Sequence, residues 1–399
     1  MLQRVERHIN IGGVNHNRFE ELTHLSKNLY NYTNYLMRQH FFETSKMLNE
    51  YELTTLLAKE KQIDYISMPS AQSSQQTIKL LFKNWKSYFN ALNKYKINPK
   101  GFLGRPKLPK YKAKEGHNII VFTNQNCIIK NGYIHFPKKA KILPIKTKVS
   151  SLKQLRIIPN ATCFIVEIIY EKEAQTLVHD NENYLSLDLG LNNLVTSFNN
   201  IGLQPFIING KIVKSINQFY NKTKAKLMSF IGDKGTSTRI NALTHKRNQK
   251  INDQLHKSSR YIIDYCVKHN ISKIVIGNNK EWKQNINIGK RNNQNFVTIP
   301  HARLISQLEY KGEEVGIKII TTEESYTSKI DHLANEEMKH QAKYLGKRVK
   351  RGLFRSSLNR NINADVNGAI GILRKVVPNE VFKTLGDRGT VFVPNIINF

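Results

Sequence analysis

The apolar positions of the first hundred residues fall at helical spacing. Leu22, Leu25, Leu29, Tyr32 and Leu36 step by three and four, which sets them on one face of a helix. A second stripe of Ile78, Phe82, Trp85, Phe89 and Leu92 follows the start signal Met68-Pro69-Ser70. Residues 17–95 therefore read mainly as helix, and core packing accounts for both stripes. The pattern breaks at KINPKGFLGRPKLPKYKAK, where proline and glycine bar a regular element and predict a loop. Short β-type runs follow at Asn118–Phe122, Cys127–Ile129 and Tyr133–Phe136, the last two split by the turn pair Asn131-Gly132. Leu155–Ile158 and Thr162–Tyr170 form another expected hairpin across Pro159-Asn160-Ala161. Several short strands with turns suggest a small β-barrel. The polar stretch Glu171–Asn183 ends this part of the chain.

From Tyr184 the elements lengthen. Tyr184–Leu189 reads as a strand, with Leu194–Phe198 and Pro205–Ile208 as hairpin neighbours. Ser215–Ser229 and Ser237–His269 read as helices, Ser272–Gly277 as a strand, His301–Val315 as a helix and Ile317–Thr322 as a strand. Asp365–Val376 closes the region as a helix. Three strands, then helix-strand-helix-strand-helix, is the element order of an RNase H-like fold. A length of 399 residues fits two or three such domains.

Charge changes the picture. The chain carries 62 Lys and Arg against 30 Asp and Glu, a formal +32. The cations are spread through segments that also hold Ile, Leu, Phe and Tyr, so a folded basic surface is expected, and nucleic acid is the commonest partner of such a field. Seven basic residues and no acid lie between Lys96 and Lys114. Arg105, Lys107, Lys110 and Lys112, with Phe102 and Tyr111 among them, are candidate nucleic-acid contacts. Lys246, Arg247, Lys257 and Arg260 add helical candidates. Cys127, Cys163 and Cys266 match no metal-ligand spacing and read as buried thiols in a reducing compartment. The start MLQRVERHIN lacks the apolar stretch of a signal peptide, and no apolar run is long enough to span a bilayer. The expected location is cytoplasmic, with no membrane partner.

The strand LSLDLGLNNLVTSF carries one acid, Asp188, among residues that a central strand would bury. A buried carboxylate needs cationic compensation, from a neighbouring arginine or from a divalent metal. Gly190, just after it, lets a backbone or a phosphate approach closely. Asp365 stands at the first turn of the last helix, where helix capping also favours an acid. Two acids in a domain of this element order suit metal-dependent phosphodiester cleavage.

DLGLNNLVT, SINQFYNKTKAKL, KRNQKINDQLHKSSR, IVIGNNKEWKQ, NFVTIPHARLI, EESYTSK, GKRVKRGLFRS and NADVNGAIGILRK together resemble the OrfB/TnpB proteins of bacterial insertion sequences, which are related to the miniature type V CRISPR effectors. With GRPKLPKYK upstream, the resemblance covers nearly the whole chain. It implies an RNA-guided DNA endonuclease encoded by a transposable element, with one RuvC site. Such a protein binds a guide RNA from its own element and a double-stranded DNA target beside a short motif. The expected fold is α+β and multidomain. A wedge-like β-barrel (1–16 and 96–175) carries an inserted helical recognition lobe (17–95). An RNase H-like/RuvC α/β nuclease domain follows (184–376, with a basic insert at 325–364), and then a C-terminal tail (377–399).

Two departures from the family matter. Most members place a third acid, a Glu, at the end of the strand that here reads IVIGNN; this chain has Gly277 there. Glu281 is the next acid, but Glu323 and Glu324, at the end of the following strand, are better placed. Strand alternation sends these two to opposite faces, and Glu324 is the favoured one. Asp188, Glu324 and Asp365 are thus the expected catalytic residues and ligands of Mg²⁺, with Mn²⁺ also suited. The second departure is a missing zinc ribbon. Residues 325–364 hold no cysteine, and His332 and His340 alone make a zinc site improbable. The insert instead has eight Lys or Arg from Lys339 to Arg360. Lys347, Arg348, Lys350, Arg351 and Arg355 are expected over the cleft as phosphate contacts. Two other functions stay open: a nuclease-inactive, guide-directed DNA-binding protein, and a transposase that joins DNA strands itself.

Overall fold

The computed structural model describes residues 1–232, 235–278, 299–350, 352–377 and 393–399. The chain divides into two units, Met1–Lys172 and Glu173–Phe399. In the first, the order is β1 (Leu2–Asn10), α1 (Val14–Thr44), α2 (Glu50–Lys59), α3 (Ile63–Ser67), α4 (Ala71–Ile97), β2 (Ile120–Thr123), β3 (Ile128–Lys130), β4 (Tyr133–His135), β5 (Ile145–Lys146), β6 (Gln154–Asn160) and β7 (Cys163–Lys172). Ser70 is the N-cap of α4, its side chain accepting from the Ser73 N–H. Leu22, Leu29, Ile78, Phe82 and Trp85 are buried, while Leu25, Tyr32, Leu36 and Phe89 pack around them. Trp85 satisfies its indole N–H on Asn34 Oδ1 at 3.0 Å, so the largest apolar group of the core leaves no polar atom stranded. The same core takes in Ile120, Phe122, Leu155, Ile157, Val166 and Ile168, so the helices and the sheet are stabilised together.

The strands of this unit form a four-stranded sheet, β1-β7-β6-β2, and a separate three-stranded one, β3-β4-β5. The single small barrel suggested by turn spacing is therefore two sheets in hydrogen-bond terms. The residue pattern gave no strand within residues 1–16, which the resemblance assigns to the barrel; β1 there pairs antiparallel with β7 along its whole length, Leu2 facing Lys172 and Asn10 facing Phe164. Alternating half-buried and exposed residues, rather than an apolar run, hid it. Asn131 and Gly132 take positive φ, 53° and 74°, and form the expected two-residue turn between β3 and β4. The β6–β7 hairpin is tighter than expected, because Pro159 and Asn160 belong to β6 and pair with Phe164 and Cys163.

In the second unit the order is β8 (Tyr184–Asp188), β9 (Asn193–Asn199), β10 (Phe206–Asn209), α5 (Lys211–Ile231), α6 (Thr238–Lys268), β11 (Lys273–Gly277), α7 (His301–Val315), β12 (Lys318–Thr322), β13 (Lys347–Lys350), β14 (Leu353–Arg355), β15 (Asn361–Asn363), α8 (Ala364–Arg374) and β16 (Asn395–Ile397). One six-stranded sheet runs β12-β11-β8-β9-β10-β16. The pairs β8–β9 and β9–β10 are antiparallel, while β8–β11, β11–β12 and β10–β16 are parallel. The Ile- and Val-rich β11 is buried along its length, as a parallel strand covered on both faces must be. The stretch expected to be a tail thus supplies an edge strand, β16. Cys127, Cys163 and Cys266 are buried, as expected.

The basic insert folds as a three-stranded antiparallel sheet, β13-β14-β15, whose Phe354 and Ile362 join a core with Val366, Ala369 and Leu373 of α8. Its anchor is polar. Asp331, 0% exposed, accepts hydrogen bonds from Ser356 Oγ, from Ser357 N and Oγ, and from Ala334 N. Glu336 accepts from Asp331 N and Leu345 N. His332 faces the Thr327 carbonyl oxygen with Nε2 at 2.8 Å and Arg374 with Nδ1 at 2.9 Å, which fits a neutral ring donating from Nε2 and accepting at Nδ1. Arg374 also donates to the Glu336 carbonyl oxygen, and Asn367 Nδ2 to that of Ile330. The insert is clamped to α8, the helix whose first turn holds Asp365. No described helix is long and apolar enough to cross a membrane.

Candidate active site

Asp188 closes β8 in the middle of the sheet, and the burial that makes Leu185, Ser186 and Leu187 core residues carries its side chain inward. The residue keeps some accessible surface, yet its carboxyl group is enclosed. Burial foremost, then the charges of Glu324 and Asp365, pushes its pKa up to about 7, against a lowering by Arg348. Among the described residues no hydrogen-bond donor reaches this carboxylate. Gly368 on α8 lets the helix come close: a Cβ there would lie 2.8 Å from Asp188 Oδ2. Ser186 Oγ, donating to the Ala369 carbonyl oxygen at 2.7 Å, ties the same helix to the same strand.

Asp365 lies one residue into α8. The N-cap Asn363 accepts from Asp365 N and Val366 N, which fixes the first turn. Asn193 Nδ2 donates to Asp365 Oδ2 at 2.6 Å, and Arg348 of β13 reaches Oδ1 at 3.4 Å. Asp188, Asp365, Arg348, Asn192, Asn193 and Thr196 line one cleft of about 180 Å³. Sequence reasoning missed Asn193; its place four residues after Leu189 in DLGLNN was the available signal.

Glu324 sits where the expected strand acid is absent. Gly277 is in register with Thr322 of β12, and Asn278 N donates to the Thr322 carbonyl oxygen at 2.8 Å. From there Glu324 folds back over the glycine: a Cβ on Gly277 would lie 2.6 Å from Glu324 Oε1 and 2.7 Å from its Cγ. Burial raises the Glu324 pKa, against a lowering by Lys375. Glu323 is exposed and accepts from the Ser325 hydroxyl. Glu281 lies outside the described residues.

Three carboxylates, two of which raise the proton affinity of Asp188, have the chemistry of a hard-cation site, all oxygen and net negative. As described, Asp365 is held by Asn193 and Arg348. Among the described residues no three His, Cys, Asp or Glu side chains already stand close enough to hold one ion. The acid chemistry fits a divalent cation, and taking one up calls for Asp365 to exchange those partners. His332 is buried with both ring nitrogens engaged, and His340 is exposed.

The basic candidates separate by partner. Arg105, Lys107, Lys110 and Lys112 are exposed on a loop pinned along α1, through Asn31 to Lys112, Arg38 to the Pro109 carbonyl oxygen and Lys27 to that of Lys114. Tyr111 stacks under Arg38, with the guanidinium 5.0 Å from the ring centre. Several helical candidates are engaged inside the unit. Arg247 binds Asn217 Oδ1 and lies over Tyr220, Lys257 pairs with Asp253, and Arg260 pairs with Asp264. Lys246 is exposed. Lys347 and Lys350 are exposed on β13, Arg355 donates to Asn361 Oδ1, and Arg348 alone of this group reaches the cleft. Arg351 lies outside the described residues.

Two family models match the chain. One, OrfB_IS605, is described as "Probable transposase" and covers residues 167–283; the other, "Cas12f1-like, TNB domain", covers residues 301–372. The chain is 23% identical over 427 residues to a "TnpB-like protein ORF457" of Acidianus two-tailed virus, covering 94% of this chain and 87% of that protein. It is 27% identical over 231 residues to the "CRISPR-associated endodeoxyribonuclease Cas12f1" of Sulfoacidibacillus thermotolerans, which covers 54% of this chain and half of that relative. Among solved structures, the Cas12f1 chain of a Cas12f1–sgRNA–target DNA complex superposes with a TM-score of 0.55 at 15% identity, over 89% of this chain and 81% of that one. That likeness concerns the fold.

Proposed function

From the premise that the chain belongs to the TnpB family and is related to the miniature type V effectors, we propose that it is an RNA-guided DNA endonuclease. It cuts target DNA at one RuvC-type site made of Asp188, Glu324 and Asp365. The sheet order β12-β11-β8-β9-β10, with the pairs β8–β9 and β9–β10 antiparallel, supports an RNase H-like reading of the second unit. The observation that carries the site assignment is Glu324, whose carboxylate fills the space a side chain at Gly277 would take. One acid has moved from a strand to its neighbour about 4.8 Å away, and the carboxylate serves the same place.

Asp188, Glu324 and Asp365 would hold Mg²⁺, or Mn²⁺, which when bound supplies charge stabilisation and an activated water for phosphodiester hydrolysis. The residues do the rest. Asp188 must shed its proton, because its burial and its two acidic neighbours favour the neutral form. Asn193 and Arg348 orient Asp365 in the metal-free site, and Arg348 can turn to a substrate phosphate once released. Sequence choice comes from pairing between guide and target, with the basic surfaces holding the backbones.

Glu324→Gln tests the assignment. It is expected to abolish cutting of a guide-matched plasmid while RNA and DNA binding persist. Gly277→Glu together with Glu324→Ala, which clears the space, is expected to restore part of the activity by returning an acid to the strand. Normal cutting by Glu324→Gln removes Glu324 from the site. Strand-transfer products made without RNA would instead favour a transposase, and binding without cutting at any divalent metal concentration a guide-directed repressor.

A further inference from the structure

The helix α5 starts at the rim of the acidic cleft. Gly210, its N-cap, donates its N–H to the Asn192 carbonyl oxygen at 2.8 Å, and Lys214 Nζ reaches Asn192 Oδ1 at 3.3 Å. A Cβ at Gly210 would lie 2.5 Å from the Leu191 carbonyl oxygen, so the helix leaves the cleft wall at close range. Asn192 and Leu191 both line that cleft. One face of α5 packs on α6 through Asn217 and Tyr220, which Arg247 joins. The opposite face is open to solvent and unusual in content. Phe219 is 67% exposed and Phe230 75% exposed. Lys222 and Lys226 lie between them and Lys211 precedes them, all exposed. At helical pitch Phe219, Lys226 and Phe230 fall within about 20° of one line, and the two rings stand about 16 Å apart along the axis. The sequence from Lys211 to Ile231 contains no acid.

We infer that this stripe is a rail for unpaired DNA, along which the strand to be cut runs into or out of the cleft. The inference rests on the nuclease reading above for the identity of the strand. Its physical basis is separate. Two aromatic faces left in water are costly, and the cations between them suit phosphates. Bases of a single strand present free π-faces to such rings, whereas a duplex keeps its bases stacked inside and offers only backbone. A second copy of the chain is a poor fit, since a symmetric contact would set lysines against lysines.

The experiment measures binding of a labelled oligothymidylate and of a labelled duplex to the full chain with its co-purified RNA, by fluorescence anisotropy. The chain is compared with its Phe219→Ala/Phe230→Ala and Lys222→Gln/Lys226→Gln variants. The aromatic variant is expected to weaken single-strand binding by about tenfold or more and duplex binding hardly at all. Phe219→Leu/Phe230→Leu is expected to behave like the alanine pair, because it keeps the apolar bulk and loses the flat face. The lysine variant is expected to lower the slope of log affinity against log salt by about 1.4, two phosphates' worth for a single strand. Substitution of exposed rings leaves the core intact, and unchanged melting checks this. Unaltered single-strand binding in the aromatic variant overturns the inference. So does an equal loss on duplex. Plasmid cutting is followed in parallel: a protein that keeps the strand preference but never cuts loses the nuclease reading and retains the rail.

Discussion

Two aspartates with enclosed carboxyl groups in the same unit face opposite circumstances. Asp331 is wholly enclosed and accepts from two serine hydroxyls and two backbone N–H groups, so its charge is repaid by hydrogen bonds. Asp188 is nearly as enclosed, has no donor among the described residues, and faces two other acids. A fold that placed both only for stability would treat them alike. Asp331 holds the insert on α8; burial and two acidic neighbours raise the Asp188 pKa against the opposing charge of Arg348, which suits the proposed metal-ligand role.

The contrast breaks most visibly on substitution. Asp188→Asn is expected to reduce plasmid cutting on the order of a thousandfold, the effect of losing about 4 kcal/mol of transition-state stabilisation. The same change is expected to raise the melting temperature at pH 8. Asp331→Ala should do the reverse, costing about 3 kcal/mol or more of stability by calorimetry, since it strands several buried donors. A melting temperature that falls in Asp188→Asn would show that Asp188 is structural.

Displacing Glu324 is the next largest effect. Gly277→Ala sets a methyl group 2.6 Å from Glu324 Oε1 and equally near Ile372 Cδ1. Cutting is expected to drop about a hundredfold, as for a group misplaced by about 1 Å, while RNA binding is unchanged. Equal cutting by the alanine variant would mean that Glu324 acts from elsewhere.

Two titrations sharpen the same contrast with opposite signs. The folded-state pKa of Asp188 is raised from 3.8 to about 7, so its contribution to stability is full below about pH 4 and lost as pH rises through about 7. His332 is lowered from 6.5 to about 4, first by burial, so its contribution is present above about pH 6.5 and lost as pH falls through about 4. Each corresponds to roughly 3–4 kcal/mol. Metal-free melting curves across pH are expected to show both limbs. Asp188→Asn should flatten only the alkaline limb and His332→Gln only the acidic one. Apparent Mg²⁺ affinity should also fall as pH drops below about 7, because protons compete for Asp188.

Much of this was legible along the chain. The helical stripes, the alternation of β8 to β12 with α5 to α7, and the placing of Asp188 on a strand and Asp365 on a helix start follow from periodicity and capping. Those signals are local, set by which face of an element must leave water. The strand β1, in a segment that only the resemblance assigned to the barrel, was illegible in the pattern because its alternation mixes charged and apolar residues, and β16 because a short segment reads as a tail until a sheet edge accepts it. The insert's sheet was hidden likewise, since its anchor is a hydrogen-bonded aspartate rather than an apolar run.

What the sequence by itself determined was the kind of chemistry: an excess of cations for a polyanion, and acids at positions where a strand and a helix begin or end. The vacancy at Gly277 was also readable. Glu324 was already the favoured candidate for it; that its side chain folds back over Gly277 is seen only in the tertiary structure, because parallel pairing sets Gly277 beside Thr322 two residues before it. The frustration of Asp188 belongs there too. A carboxylate's neighbours come from three distant segments, and only the packed sheet and helix bring those charges together.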